Sequence, residues 1–222
     1  MKLWLYRFVN RLAMILFFTL TPRKVVGSEN MPESGGVVVV CNHLRFTDVF
    51  NVASCFRRRL TYMAKKELYK NKFFGYIFLK YGSFPVDREG SGFAAIRESL
   101  TRLKNGEALV IFPEGTRSRG QGMGEFKEGA VMLAAKAGVP VLPMYINSRE
   151  KLFTRILVNI GKPLILPEVK KLSAEYLSQN TQMIRDKVLE LRIYDSVNTK
   201  DEKGDKDEKH EKREKREKRP EE

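Results

Sequence analysis

The chain has few of the residues on which secreted or metal-organised domains depend. Its two cysteines, Cys41 and Cys55, are too few for a disulfide framework and lack C-x-x-C spacing, so both are expected as reduced, buried small residues in a reducing compartment. There are two histidines, no G-x-S-x-G elbow to present a serine nucleophile, and no ligand cluster for a metal. A membrane-spanning helix needs about twenty apolar residues. The apolar core from Leu12 to Leu20 is nine residues long, and extending it to spanning length takes in Arg7, Asn10 and Arg11. "TLTPRK" lacks the small residues of a cleavage site. No internal repeat is visible.

What is present is enough for one domain. The 222 residues are 42% hydrophobic, sufficient for one full core but not two. From Lys200 to Glu222 no apolar side chain occurs except Pro220, so this stretch cannot bury a face of its own. The tail carries ten basic and ten acidic residues, and the chain's +14 excess therefore lies on residues 1–199. Such a field attracts anions: nucleic acid, anionic lipid headgroups or phosphorylated small molecules. The organisation expected is an N-terminal membrane-associating helical segment over 1–30, a domain over 31–199 and a charged low-complexity tail over 200–222.

In the N-terminal segment Arg7 and Arg11 lie one helical turn apart, with Trp4, Phe8, Ile15 and Phe18 available for apolar faces. That suits a helix in the membrane interface with arginines near phosphates; a helix packed on the domain and a single span are the alternatives. Beyond the "MPESGG" turn, the β-branched run "VVVVC" predicts a strand buried on both faces. "ALVIF" (108–112), "VPVLPMYI" (139–146) and "ILVNI" (156–160) predict further strands. Helical patterns run from Thr47 to about Phe56, Ser91 to Leu103, and Phe126 to Ala137, the last closed by Gly138. Alternating strands and helices imply an α/β fold: a largely parallel central sheet flanked by helices, with ligands at the carboxyl ends of strands.

Two polar stretches fall at such ends. "VCNHLRFTDVF" places His43 after the first strand and Asp48 five residues later. Residues five apart differ by about 140° on a regular helix, so the two meet only if His43 stays on the loop and Asp48 opens the helix. A carboxylate on one imidazole nitrogen then fixes the tautomer, and the other nitrogen can take a proton from a substrate hydroxyl without a covalent enzyme intermediate. A polar loop in which His43 caps the helix and Asp48 neutralises an arginine is the plainer alternative. Cys41 points to the same side as His43 but sits among apolar neighbours, which assigns it to packing.

"FPEGTRSRG" follows the 108–112 run. Gly115 permits a tight turn, while Thr116 and Arg117 supply a hydroxyl and a forked cation suited to phosphate. A surface turn with Glu114 paired to Arg117 fits equally well. "KKELYKNKFFGYIFLKYGSFPVDR" (65–88) sets lysines beside aromatics and ends at Arg88; a membrane interface, an acyl-chain groove and a core helix with solvated lysines all fit it.

In order, over about Val37 to Pro143, these stretches resemble the glycerolipid acyltransferases of the 1-acylglycerol-3-phosphate acyltransferase family. "NHLRFTD" is similar to that family's N-H-x-x-x-x-D block, "KKEL…FPVDR" to its second, "IFPEGTRS" to its third and "GVPVLPM" to its fourth. The sequence departs from the family at Arg45, where a small hydroxyl residue is common, and at Lys72, where proline is. The resemblance implies His43 as general base and Asp48 as its orienter. It implies Arg88, Thr116 and Arg117 on the acceptor phosphate, with Glu114 and Gly115 shaping that pocket. It further implies a fatty acyl donor on coenzyme A or acyl carrier protein, lysophosphatidic acid as acceptor, phosphatidic acid as product, no metal or other cofactor, and a place on the cytoplasmic face of the cell membrane among its lipids. Glycerol-3-phosphate or another lysolipid is the alternative acceptor. A basic nucleic-acid-binding module is the rival of another class; the chain has neither an RNA-binding signature nor zinc-finger spacing, and no nucleic acid is expected as partner.

Overall fold

An unbroken β-branched run packs well as a strand where both of its faces are covered. Val37–Cys41 meets that condition, with all five residues fully buried in the computed structural model of this chain, which describes residues 22–45, 47–80, 82–87, 92–117, 123–147 and 156–192. Each fully buried valine contributes about 1.5–3 kcal/mol relative to exposure. The run therefore takes the middle of the sheet.

The strands are β1 (Arg23–Val26), β2 (Val37–Cys41), β3 (Leu60–Lys65), β4 (Ser83–Val86), β5 (Ala108–Ile111), β6 (Val141–Asn147) and β7 (Ile156–Ile160). They form one sheet in the order β1-β7-β6-β2-β5-β3-β4. All neighbours are parallel except β6 and β7, which are antiparallel. Helices α1 (Asp48–Ala53), α2 (Lys72–Lys80), α3 (Phe93–Lys104) and α4 (Gly129–Ala137) follow β2, β3, β4 and β5, and a further helix, α5, spans 174–192. Alternate residues of β2 feed two cores: Val38 and Val40 join Leu103, Leu109, Val131 and Ile184 on one face, while Val37, Val39 and Cys41 join Val52, Leu142 and Met144 on the other. This is the expected largely parallel sheet flanked by helices.

Several boundaries differ from the sequence expectations for local reasons. The first helix ends at Ala53 rather than near Phe56, with a turn at Ser54 and Cys55. The helix expected from Ser91 begins at Phe93, behind Gly92 in the left-handed region. The one expected from Phe126 begins at Gly129 and closes, as expected, at Gly138 (φ 65°). The sheet also begins inside the segment assigned to the N-terminal helix, because Arg23–Val26 pairs in parallel with Ile156–Asn159. The boundary at residue 30 is corrected accordingly: the domain starts at β1. The helical expectation for the first 21 residues and the whole 200–222 tail lie outside the described residues. Among the described residues no helix is long and apolar enough to cross a membrane.

At the amino end of the sheet, the Arg58 guanidinium donates to the carbonyls of Pro32, Gly35 and Gly106, which ties together the entries to β2 and β5. The two strands emerge side by side at the opposite end, where the polar stretches begin.

Candidate active site

Asn42, the first residue beyond β2, is 1% exposed and cannot be left unpaired there. Its side-chain amide donates to the carbonyl of Ile146 (2.9 Å) and accepts from the N–H of Ile146 (2.8 Å), so that it behaves as one more peptide unit facing β6. The chain then leaves the sheet as a loop and re-enters a helix at Asp48. His43 is thus on the loop and Asp48 in the first helical turn, the one arrangement in which residues five apart can meet.

They do meet. His43 Nδ1 lies 3.2 Å from Asp48 Oδ2, with the aspartate side chain wholly buried and the imidazole 18% exposed. The same Oδ2 accepts the N–H groups of Leu44 (2.7 Å) and Arg45 (2.6 Å), so the carboxylate organises the loop as well as the ring. A carboxylate facing Nδ1 selects the tautomer with the proton on Nδ1 and the lone pair on Nε2. Phe112 stacks on the imidazole at 4.2 Å between centroids and 24° between planes, fixing the remaining rotation.

The second polar stretch is joined to the first through Glu114, which is 8% exposed. Glu114 Oε1 accepts the backbone N–H of His43 (2.9 Å) and Oε2 accepts that of Gly124 (3.0 Å). Its two oxygens are engaged by backbone rather than by Arg117, which excludes the surface Glu114–Arg117 pair among the described residues. Thr116 and Arg117 are exposed just beyond, after Gly115 at φ 71°. A side chain at 115 would begin 3.0 Å from Lys127 Nζ and 3.1 Å from its Cε, so the glycine lets a second cation, the Lys127 ammonium, lie against this loop. Lys127 is held there by its own N–H, which donates to Pro113 O (2.9 Å).

Arg88 lies outside the described residues. The strand leading to it, β4, ends at Val86 on the same carboxyl edge as β2 and β5, and Asp87 there pairs with Lys66 at 2.5 Å. Both cysteines are buried, and burial raises each thiol, Cys41 well above its usual value and Cys55 to about 12. Phe112, Lys127 and Asn42 are contributors that the sequence reading did not single out. Phe112 and Lys127 reach the site by tertiary packing, which no local spacing announces.

A family model described as Acyltransferase matches residues 22–147. The chain is 32% identical over 194 residues to a 1-acyl-sn-glycerol-3-phosphate acyltransferase of Bacillus subtilis (strain 168), covering 84% of this chain and 96% of that protein. It is 32% identical to the protein of the same name from Borreliella burgdorferi, covering 75% of this chain and 70% of that one. The fold is similar to the crystal structure of the 1-acyl-sn-glycerophosphate (LPA) acyltransferase PlsC from Thermotoga maritima, with a TM-score of 0.61, 30% identity, and coverage of 78% of this chain and 73% of that one.

Proposed function

This chain belongs to the acyltransferase family, and from that premise we propose that it transfers a fatty acyl group from a thioester to the sn-2 hydroxyl of 1-acylglycerol-3-phosphate, making phosphatidic acid. The observation that carries the reading is the buried Asp48 carboxylate on His43 Nδ1 in a loop bonded to Glu114. His43 Nε2 accepts the proton of the acceptor hydroxyl as that oxygen attacks the thioester carbonyl. The tetrahedral intermediate collapses with loss of thiolate, which takes the proton back from the imidazolium, so no acyl-enzyme forms. Arg88, Thr116 and Arg117, with Lys127 as an added cation, hold the acceptor's phosphate, while Gly115 and Glu114 shape its seat.

Coenzyme A and acyl carrier protein are both suitable carriers for the donor. No further cofactor enters this scheme. A lipid acceptor and product fit a position at the cytoplasmic face of the cell membrane, with the N-terminal segment ahead of β1 as the expected anchor.

Purified protein incubated with lysophosphatidic acid and either an acyl-CoA or an acyl carrier protein thioester should yield phosphatidic acid by mass. Competition with glycerol-3-phosphate for one donor separates the two acceptors. Absence of acylated product with both acceptors and both donors rejects the reading.

A further inference from the structure

We infer that Arg185, on the C-terminal helix α5, is a positioning residue for His43, acting through the backbone of Gly124 and the carboxylate of Glu114; the inference rests on the acyl-transfer reading above. Arg185 Nε donates to the carbonyl of Gly124 (3.3 Å), 61 residues earlier in the chain. The N–H of the same glycine donates to Glu114 Oε2 (3.0 Å), and Glu114 Oε1 accepts the N–H of His43 (2.9 Å). Three bonds thus lead from a helix outside the span matched by the family model, residues 22–147, to the base.

Gly124 has no side chain with which to hold its place, and a Cβ built there would stand 3.2 Å from Glu114 Oε2, pressing on the carboxylate. Met123 and Phe126 pack against the core on either side, and the Lys127 N–H reaches Pro113 O. The peptide groups flanking Gly124 are turned by the bonds to Glu114 and Arg185. Arg185 suits that role because its helix is seated on the same core as the strands that carry the site. Its neighbours Ile184 and Val188 are fully buried with Val40 of β2 and Ile111 of β5. The Asn159 side chain donates to Leu191 O (2.8 Å) and the Tyr176 hydroxyl to Pro167 O (2.7 Å), which fastens both ends of α5. A guanidinium donating through Nε is a directional, charge-assisted donor. A carboxylate that bonds two amides keeps both only while it does not rotate. Releasing the Gly124 carbonyl frees Oε2 to leave its amide, and the same rotation takes Oε1 from the N–H of His43.

The test uses the full chain with Arg185→Met, which keeps most of the apolar stem and removes the donor. Lys187→Met is the control for loss of a charge from the same helix, where Lys187 Nζ pairs with Glu190 at 2.8 Å. Amide hydrogen exchange resolved to single residues should quicken about fivefold at Gly124 and at His43 in Arg185→Met, and at neither in Lys187→Met. With lysophosphatidic acid as acceptor, kcat should fall about fivefold in Arg185→Met while KM stays the same. Unchanged exchange at His43, a raised KM with kcat intact, which would put the guanidinium on the acceptor itself, or equal effects of the two variants would each overturn the inference. Exchange is read without substrate. A parent protein that makes no phosphatidic acid therefore rejects acyl transfer and leaves the link to His43 to be judged by exchange, whereas an active parent with no response to Arg185→Met rejects the link alone.

Discussion

The loops after β2 and β5 emerge side by side from neighbouring parallel strands, yet they are built in opposite ways. The β2 loop is stitched: Asn42 is paired to β6, three groups converge on Asp48 Oδ2, and His43 is held by Asp48, Phe112 and, through its N–H, Glu114. The β5 loop is fastened at its root by Glu114 and then opens to solvent, with Thr116, Arg117 and Lys127 all exposed. The difference follows from what each must do. A proton acceptor works in one orientation and gains from being fixed before substrate arrives. Cations that catch a phosphate have to reach it from water, and their long side chains tolerate variation in its position.

Removing groups from the stitched loop should therefore strike turnover, and removing them from the open loop should strike acceptor affinity. His43→Ala should lower kcat by about 10³–10⁴ with an unchanged circular dichroism spectrum, because it removes the base and leaves the backbone N–H bonds to Asp48 and Glu114. Turnover near the parent level would break the contrast outright. Glu114→Gln comes next: one backbone N–H would face an NH₂ group instead of an oxygen, a loss of about 1–3 kcal/mol. It should lower both kcat and the melting temperature, whereas an effect confined to acceptor KM would move Glu114 to the open side. Arg117→Ala should raise the KM for lysophosphatidic acid about tenfold and leave kcat nearly unchanged. Lys127→Met should do the same to a smaller degree, about threefold, and that effect should shrink as salt is raised, as expected of an exposed cation.

One further effect belongs to neither loop and supplies a baseline for both. Cys55 ionises near 12 in the folded protein against an ordinary 9.0 because burial penalises its thiolate. Its raised value favours folding below the ordinary one, and this contribution declines as pH rises through 9.0 towards 12 while the unfolded chain deprotonates. Denaturant midpoints should fall over that alkaline window, and Cys55→Ala should flatten the fall.

Which parts were legible in the sequence follows from how locally each is specified. β2, β5, β6 and β7 were readable because their runs are apolar and buried on both sides. β1, "RKVV", begins with two charges, and β4, "SFPV", contains a proline that the sheet tolerates at its edge, where Pro85 is exposed. Neither resembles a core strand. β3 runs into the lysine cluster and lost its pattern there. His43 and Asp48 were legible because their meeting depends on one turn of chain. Glu114 was named as shaping a phosphate pocket, but its partners are backbone N–H groups 71 and 10 residues away, and amide hydrogens leave no letter in a sequence.

The Asn42 amide gives this chain a built-in clock. Since the proton on the Ile146 nitrogen is captured by that side chain, its rate of replacement by deuterium times how often the imidazole's support swings away from the sheet's sixth strand. A single buried amide would thus let the resting enzyme's rigidity be read with no lipid present.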